Sequence, residues 1–552
     1  MKYIVCVLFL LFNTGRALAQ HDHSSMTESK PVVLMPGLGI QHHPVSTKNP
    51  LAQKFFDQGT VLVYAFNHEE AIRSFKQAAE LDPRLAMAYW GVALALGPNI
   101  NLDVDPEREK SAYEAVQKAL SLAAQVPENE RAYINALAKR YSIDPKADLK
   151  VLAVDYKNAM KELAGRYPDD LDAATFYAES FMDLRPWQFW SADGKPAEGT
   201  EEIVATLESV LKRDPQHIGA NHYYIHAVEA SRHPEWALAS AQQLRTLAPA
   251  AGHLSHMPAH IFARVGDYES AAQSNIAGVA ADRAYLRSHG GEGMYLPMYY
   301  SHNLHFLAFA RSMQGRYADS IRAAQELQGF MDPYVKRIDA SPDLMPMIDY
   351  FSVTPTLILV RFHRWAEVLK LPEPDRRLPT ANALWHFARG SAFAETGKIG
   401  EAETELQDLI KSEKAIPADT LYSLNRAGIV LTIPENVLSA RIARAKGDAR
   451  SAIKYYRDAV DAEDALSYDE PPGWYMPVRE SLGSALMATG AYAEAEKVFR
   501  TDLEKHARNG RSLFGLMESL KAQGKNSAAE FVKHEFDAAW KTADIRLNVK
   551  DL

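Results

Sequence analysis

The sequence predicts an all-α chain, a solenoid of about ten stacked helical hairpins, and three observations point to it. Small and aromatic residues return with a period near 34, as in Phe55-Phe56-x-x-Gly59 followed by Ala71, Phe75, Ala78 and Pro83. Apolar residues keep helical spacing, and period-2 alternation bounded by turn residues is nowhere sustained, so almost no sheet is expected. Ten of the 19 histidines fall between His217 and His305 and keep the same period: His222 and His226 recur as His256 and His260.

The N-terminus reads as a secretory signal over residues 1–19. Lys2 precedes an apolar run from Tyr3 to Phe12, and Ala17-Leu18-Ala19 supplies the small-x-small cleavage site. The expected setting is the periplasm or the exterior. The single cysteine, Cys6, leaves with the signal, which excludes thiolate ligands and a cysteine nucleophile from the mature chain. Residues 20–48 read as an exposed leader, broken by Pro31, Pro36, Gly37, Gly39 and Pro44. No later run reaches the ~20 apolar residues of a membrane span. A net charge of −9 with dispersed Lys and Arg argues against a nucleic-acid partner.

The repeats begin near residue 49. Gly59, Ala71 and Ala78 let paired helices approach closely, while Leu62, Ile72 and Phe75 fill the seam between them. The pattern returns at Ala86-x-x-Tyr89-Trp90-Gly91 and over Tyr133–Pro168 and Leu171–Pro215. It continues in units starting near Ile218, Gly252 and Ser301. Between residues 331 and 380 it weakens, broken by Pro333, Pro342, Pro346, Pro355, Pro372, Pro374 and Pro379. That stretch is read as an irregular linker between an array over 49–330 and a second over 381–545. The second array shows Ala394-x-x-Gly397, Gly447 with Ala452, and Leu482-Gly483-Ser-Ala485 through Ala495.

These spacings resemble the tetratricopeptide repeat. The whole chain resembles a group of secreted bacterial tetratricopeptide proteins in Phe66-Asn-His-Glu-Glu-Ala71, Ala86-Met-Ala-Tyr-Trp-Gly91, His222-Tyr-Tyr-Ile-His-Ala-Val-Glu229, His256-Met-Pro-Ala-His260 and Tyr468-Asp-Glu-Pro-Pro-Gly-Trp-Tyr475. The repeat scaffold hosts many functions, so the likeness carries fold and not activity.

With Ala237, Ala271 and Ser320 each taken as repeat position 20, His253 and His302 occupy position 2. His222, His256 and His305 occupy position 5, His226 and His260 position 9, and Glu229 position 12. The resemblance implies that these positions line one concave groove. Residues at i and i+4 share a helix face, so His222/His226 and His256/His260 each form a two-nitrogen pincer. Imidazoles from neighbouring helices then meet at one ion, with His222, His256 and His305 as the central ladder. All-imidazole ligation suits copper, zinc or iron. Glu229 would orient a ligand or serve as a general base. Met257, Met294 and Met298 read as packing residues.

His-Glu-x-x-His, Gly-x-Ser-x-Gly and phosphate-loop motifs are absent. Trp187, Trp190, Tyr295, Tyr299 and Tyr300 are candidates to wall a pocket for a small apolar ligand. Asp469 and Glu470 are too remote in sequence to assign. Two functions fit: a metal-binding solenoid acting as an oxidoreductase or hydrolase, and a non-catalytic scaffold whose groove holds a partner protein or peptide.

Overall fold

The computed structural model describes residues 31–290, 293–340 and 344–552. The signal segment and the first part of the leader lie outside them. Among the described residues the chain is helical almost throughout. The one strand pair is the two-residue hairpin Leu421–Tyr422 with Asn425–Arg426. Helices pair with their sequence neighbours as hairpins, from Pro50–Tyr64 with His68–Leu81 to Gly510–Ala522 with Asn526–Ala539. The expected helical-hairpin solenoid is present. No helix among the described residues is long and apolar enough to cross a membrane.

Each hairpin follows local rules. Pro50 opens the first helix, where its missing N–H costs nothing, and the Asn49 side chain accepts from Leu51 N and Ala52 N. Asp267 and Asp448 cap the second helices of later hairpins in the same way. The turn between paired helices needs a left-handed residue, and Gly266, Gly315, Gly397, Gly447, Gly490 and Gly524 supply it at φ between +69° and +79°. Two repeats place other residues there, Phe66 at +56° and His363 at +54°, at a cost of about 1–2 kcal/mol each. The packing expectation at Gly59 holds: a Cβ there would come within 2.6 Å of the buried Phe75 ring, and one on Gly91 within 2.5 Å. Leu62 is buried with Phe75, whereas Ile72 is only part-buried.

The leader departs from expectation. Leu38, His43 and Val45 are buried and not exposed. His43 Nδ1 lies 2.8 Å from Asp172 Oδ2, and the Tyr64 hydroxyl donates to Asp172 Oδ1 at 2.5 Å. The clamp arises because a buried carboxylate needs donors, and the leader carries one.

Residues 34–552 form one compact unit. Later repeats fold back on the middle ones: Asp544 accepts from Tyr317 N and Ala318 N at the start of helix Tyr317–Lys336. The Tyr475 hydroxyl donates to His305 O at 3.0 Å. This return carries the segment 468–475 to the histidines.

Candidate metal centre

Three helical segments present the histidines: Ile218–Val228, Gly252–Arg264 with Pro258 as its interruption, and Ser301–Met313. Pro258 lacks an N–H for the Leu254 carbonyl, yet the chain stays helical through Met257, so His256 and His260 remain one turn apart.

The seven histidines do not form one ladder. His222, His226 and His253 make one group and His256, His260 and His302 another, with ligand nitrogens in each group within 4.8 Å of one another. Both obey a single rule: repeat positions 5 and 9 of one helix meet position 2 of the next. His305 stands apart. Its own partner at position 9 is Phe309, so a third group cannot close. Instead its ring stacks on Tyr475 at 5.1 Å and sits edge-on to Tyr350 and Phe351. Burial alone holds its pKa down to about 3.

Hydrogen bonds fix the tautomers of four rings. His222 Nδ1–H donates to the Tyr64 carbonyl at 2.6 Å. Glu229 is completely buried and takes two imidazoles, from His226 Nδ1–H at 2.7 Å on Oε1 and from His260 Nδ1–H at 2.5 Å on Oε2. His256 Nδ1–H donates to Asn275 Oδ1 at 2.8 Å, because the Asn275 amide nitrogen is committed to Ala271 O. Every one of these rings therefore turns its Nε2 toward its group's centre, where the neutral ring offers a lone pair.

The lone pairs crowd. His256 Nε2 and His260 Nε2 are 2.8 Å apart, and His222 Nε2 and His253 Nε2 are 3.1 Å apart. Two nitrogens on a tetrahedral ion with ~2.0–2.1 Å bonds stand roughly 3.3 Å apart, so a small opening of either pair accepts one. A proton or a cation between the nitrogens relieves the repulsion. In the first group a proton on His253 Nε2 would leave His253 Nδ1 bare, and that atom is buried without a partner.

Electrostatics keeps most rings neutral. Burial, then the neighbouring imidazoles, push His222, His253, His256 and His302 well below the ordinary histidine value. Burial also lowers His226, against the pull of Glu229. His260 is the exception. Burial pulls it down, but the charge and hydrogen bond of Glu229, with Glu470 and Asp469 behind, raise it overall. Burial would raise Glu229, yet His260 and His226 hold it at about 2. With one imidazole N–H on each oxygen, it orients a ring of both groups.

Aromatic rings seal the groups. Phe66 packs on His222 at 4.7 Å, His253 at 5.4 Å and His226 at 5.9 Å. Phe306 does the same for His256, His260 and His302 at 5.3–5.9 Å. Trp187 meets His226 edge-on at 5.3 Å, and Tyr299 lies over His253 at 4.5 Å. These aromatics wall the histidines themselves.

Sequence reading offers no signal for Tyr64, Asn275 or Phe306, and leaves Glu470 unassigned. The Tyr468 hydroxyl lies 3.0 Å from Glu470 Oε1 and 3.3 Å from Glu229 Oε2. Glu470 Oε2 is buried without a partner, and burial raises its carboxyl to about 7. The one available signal was the unusual Asp-Glu-Pro-Pro-Gly-Trp-Tyr run itself.

No family model matches this chain, and no curated protein matches it. Solved structures that are similar to it include the human IFIT1 dimer with m7Gppp-AAAA (12% identity, TM-score 0.31, covering 91% of this chain and 92% of that one). The Cut9–Hcn1 hetero-tetramer of the APC/C is similar at 13% identity and TM-score 0.29, covering 89% and 88%. Yeast Tom70 is similar at 12% identity and TM-score 0.30, covering 88% and 97%. Likenesses this distant carry nothing about function, and the hairpin architecture rests on the helix pairing itself.

Proposed function

We propose that this chain is a helical-repeat scaffold that binds transition-metal ions. One ion sits at His222, His226 and His253 and one at His256, His260 and His302, with Glu229 orienting an imidazole of each. The observation that supports it most is the locking of four tautomers so that Nε2 lone pairs converge on two buried points. Neutral, nitrogen-only ligands favour copper or zinc, and iron is compatible. Three protein ligands leave a fourth position on a tetrahedral ion, which is where hydrolase or oxidoreductase chemistry would take place. The signal segment read from the sequence puts the proposed setting in the periplasm or outside the cell.

A second reading, a scaffold for a partner protein or peptide, draws support from a groove of about 1030 Å³ in the later repeats. Metal analysis separates the two. Full-length protein purified without a histidine tag and equilibrated with Zn²⁺ or Cu²⁺ is expected to hold about two ions, and His222→Ala or His256→Ala about one. Added metal should raise the melting temperature by mass action. Wild-type protein that retains no ion and gains no stability would leave the scaffold reading.

A further inference from the structure

A second buried cluster lies in the later repeats, away from the histidine groups. Arg361, Arg441 and Arg511 line one pocket of about 30 Å³, together with Glu480, Trp474 and Leu552. The three arginines are 3%, 7% and 4% exposed. Glu480, the carboxylate that pairs with two of them, is already saturated. Glu480 accepts from Arg361 Nη1 and Nη2 at 2.9 and 3.0 Å, from Arg511 Nε at 2.8 Å and from Asn509 Nδ2 at 2.8 Å.

Arg441 is left over. Its Nε and Nη1 are buried with no hydrogen-bond partner, as is Nε of Arg361. Its guanidinium carbon lies 5.3 Å from the centre of the Trp365 ring. Buried guanidinium N–H groups without acceptors are unfavourable, so a side chain left in this state points to an anion. The excess positive charge acts on its neighbours. Burial, then Arg511, Arg441, Arg444 and Arg361, hold His363 well below the usual histidine value. Burial and Arg361 bring Arg511 down to about 10 against the pull of Glu480. Asp551 and the terminal carboxylate of Leu552 are the other acids at hand: Asp551 is tied to Asn548 and lies 3.9 Å from His363 Nδ1, and Leu552 accepts from the Ser481 hydroxyl.

The pocket does not stand alone. His363 also lines the groove of about 1030 Å³, with Trp365, Arg444, Tyr492 and Lys521. Residues Val549–Asp551 lie along that groove, the Ser484 hydroxyl donating to Val549 O at 2.7 Å and Arg511 to Asp551 O.

We propose that the Arg361–Arg441–Arg511 pocket binds an oxyanion group, a phosphate or a carboxylate, whose parent molecule extends into the neighbouring groove. Planar guanidiniums suit both groups, since each offers paired donors to paired oxygens.

The test uses the full chain, exchanged into chloride buffer at fixed ionic strength, with inorganic phosphate and acetate as probes. Wild-type melting temperature is expected to rise saturably with one of them. Stronger stabilisation by phosphate assigns a phosphate group, and stronger stabilisation by acetate a carboxylate. Arg441→Met should weaken the response at least tenfold and, in chloride alone, melt no lower than wild type, because the unpaired charge is gone. Three results would each overturn the proposal: no effect of either probe beyond chloride, an equal response of the variant, or a variant that melts well below wild type in chloride.

Discussion

The histidine groups and the arginine pocket are both places where like groups are crowded out of water, and they call for opposite partners. In the first, imidazole Nε2 atoms stand 2.8–3.1 Å apart, and a proton or a metal ion between them relieves the crowding. In the second, guanidiniums outnumber the carboxylate they share, and an anion relieves them. Both sit beside a repeat whose turn glycine is replaced, by Phe66 in one case and His363 in the other. Backbone strain of this kind persists where surrounding structure over-determines it. Phe66 lays its ring on three imidazoles, so the strained turn serves the site directly. The contrast teaches that one scaffold can hold unrelieved polar groups of either sign, provided each is locked by neighbours.

The largest expected effect separates the two regions through Glu229. Glu229→Gln leaves one hydrogen-bond acceptor where two imidazole N–H groups need one each, so both metal groups loosen together. Metal affinity at each should fall roughly 10–100-fold, the usual cost of losing an orienting carboxylate. Competition titration with a chelating dye measures it, and anion binding at the arginine pocket should not change.

Next comes the metal-free chain. If lone-pair crowding is a cost, His253→Leu removes a ring whose Nδ1 is buried and unpaired. Metal-free protein should then gain stability, by about 1 kcal/mol, while losing the ion of the first group. Urea unfolding with and without chelator measures both; a loss of stability in the metal-free chain would count against the crowding.

A smaller effect distinguishes the two histidine groups from each other. Glu470 and Asp469 raise His260, so Glu470→Gln should weaken the second ion several-fold and leave the first unchanged. His305→Phe should change neither, since that ring packs among Tyr475, Tyr350 and Phe351.

A pH control lies outside the histidine groups. Burial lowers His506, but Asp502 raises it overall, while Asp502 is itself held below its ordinary value by His506 and neighbouring donors, against burial. The histidine contribution is full below about pH 6.5 and is lost as pH rises through the raised folded value. The aspartate contribution is full above about pH 4 and is lost as pH falls through the depressed one. The pair thus stabilises most between those limits. Asp502→Asn should flatten the stability profile across them, measured by thermal melting from pH 3 to 8, without altering metal content.

Much of this was legible in the sequence, and the reasons for the remainder are physical. Spacing revealed the hairpins, since Gly59, Ala71 and Phe75 need each other's shapes. It also placed the histidines on positions 2, 5 and 9. Spacing says nothing of the rotation between successive hairpins, which decides that position 2 of one repeat meets 5 and 9 of the repeat before. Spacing therefore puts His305 in a ladder it does not join and merges two groups into one. Tyr64 acts through its backbone carbonyl, which no side-chain pattern reports. Tyr468 lies 239 residues from Glu229 and arrives only because the later repeats fold back. The buried leader was hidden for a related reason: its docking depends on Asp172, 129 residues away from His43.

The most direct test of the central claim is anomalous diffraction from crystals of untagged protein grown with Zn²⁺ or Cu²⁺. Two peaks are expected, each ~2.0–2.1 Å from Nε2 atoms, one among His222, His226 and His253 and one among His256, His260 and His302. Crystals that show no interior peak, with metal only on exposed histidines such as His233, would contradict it.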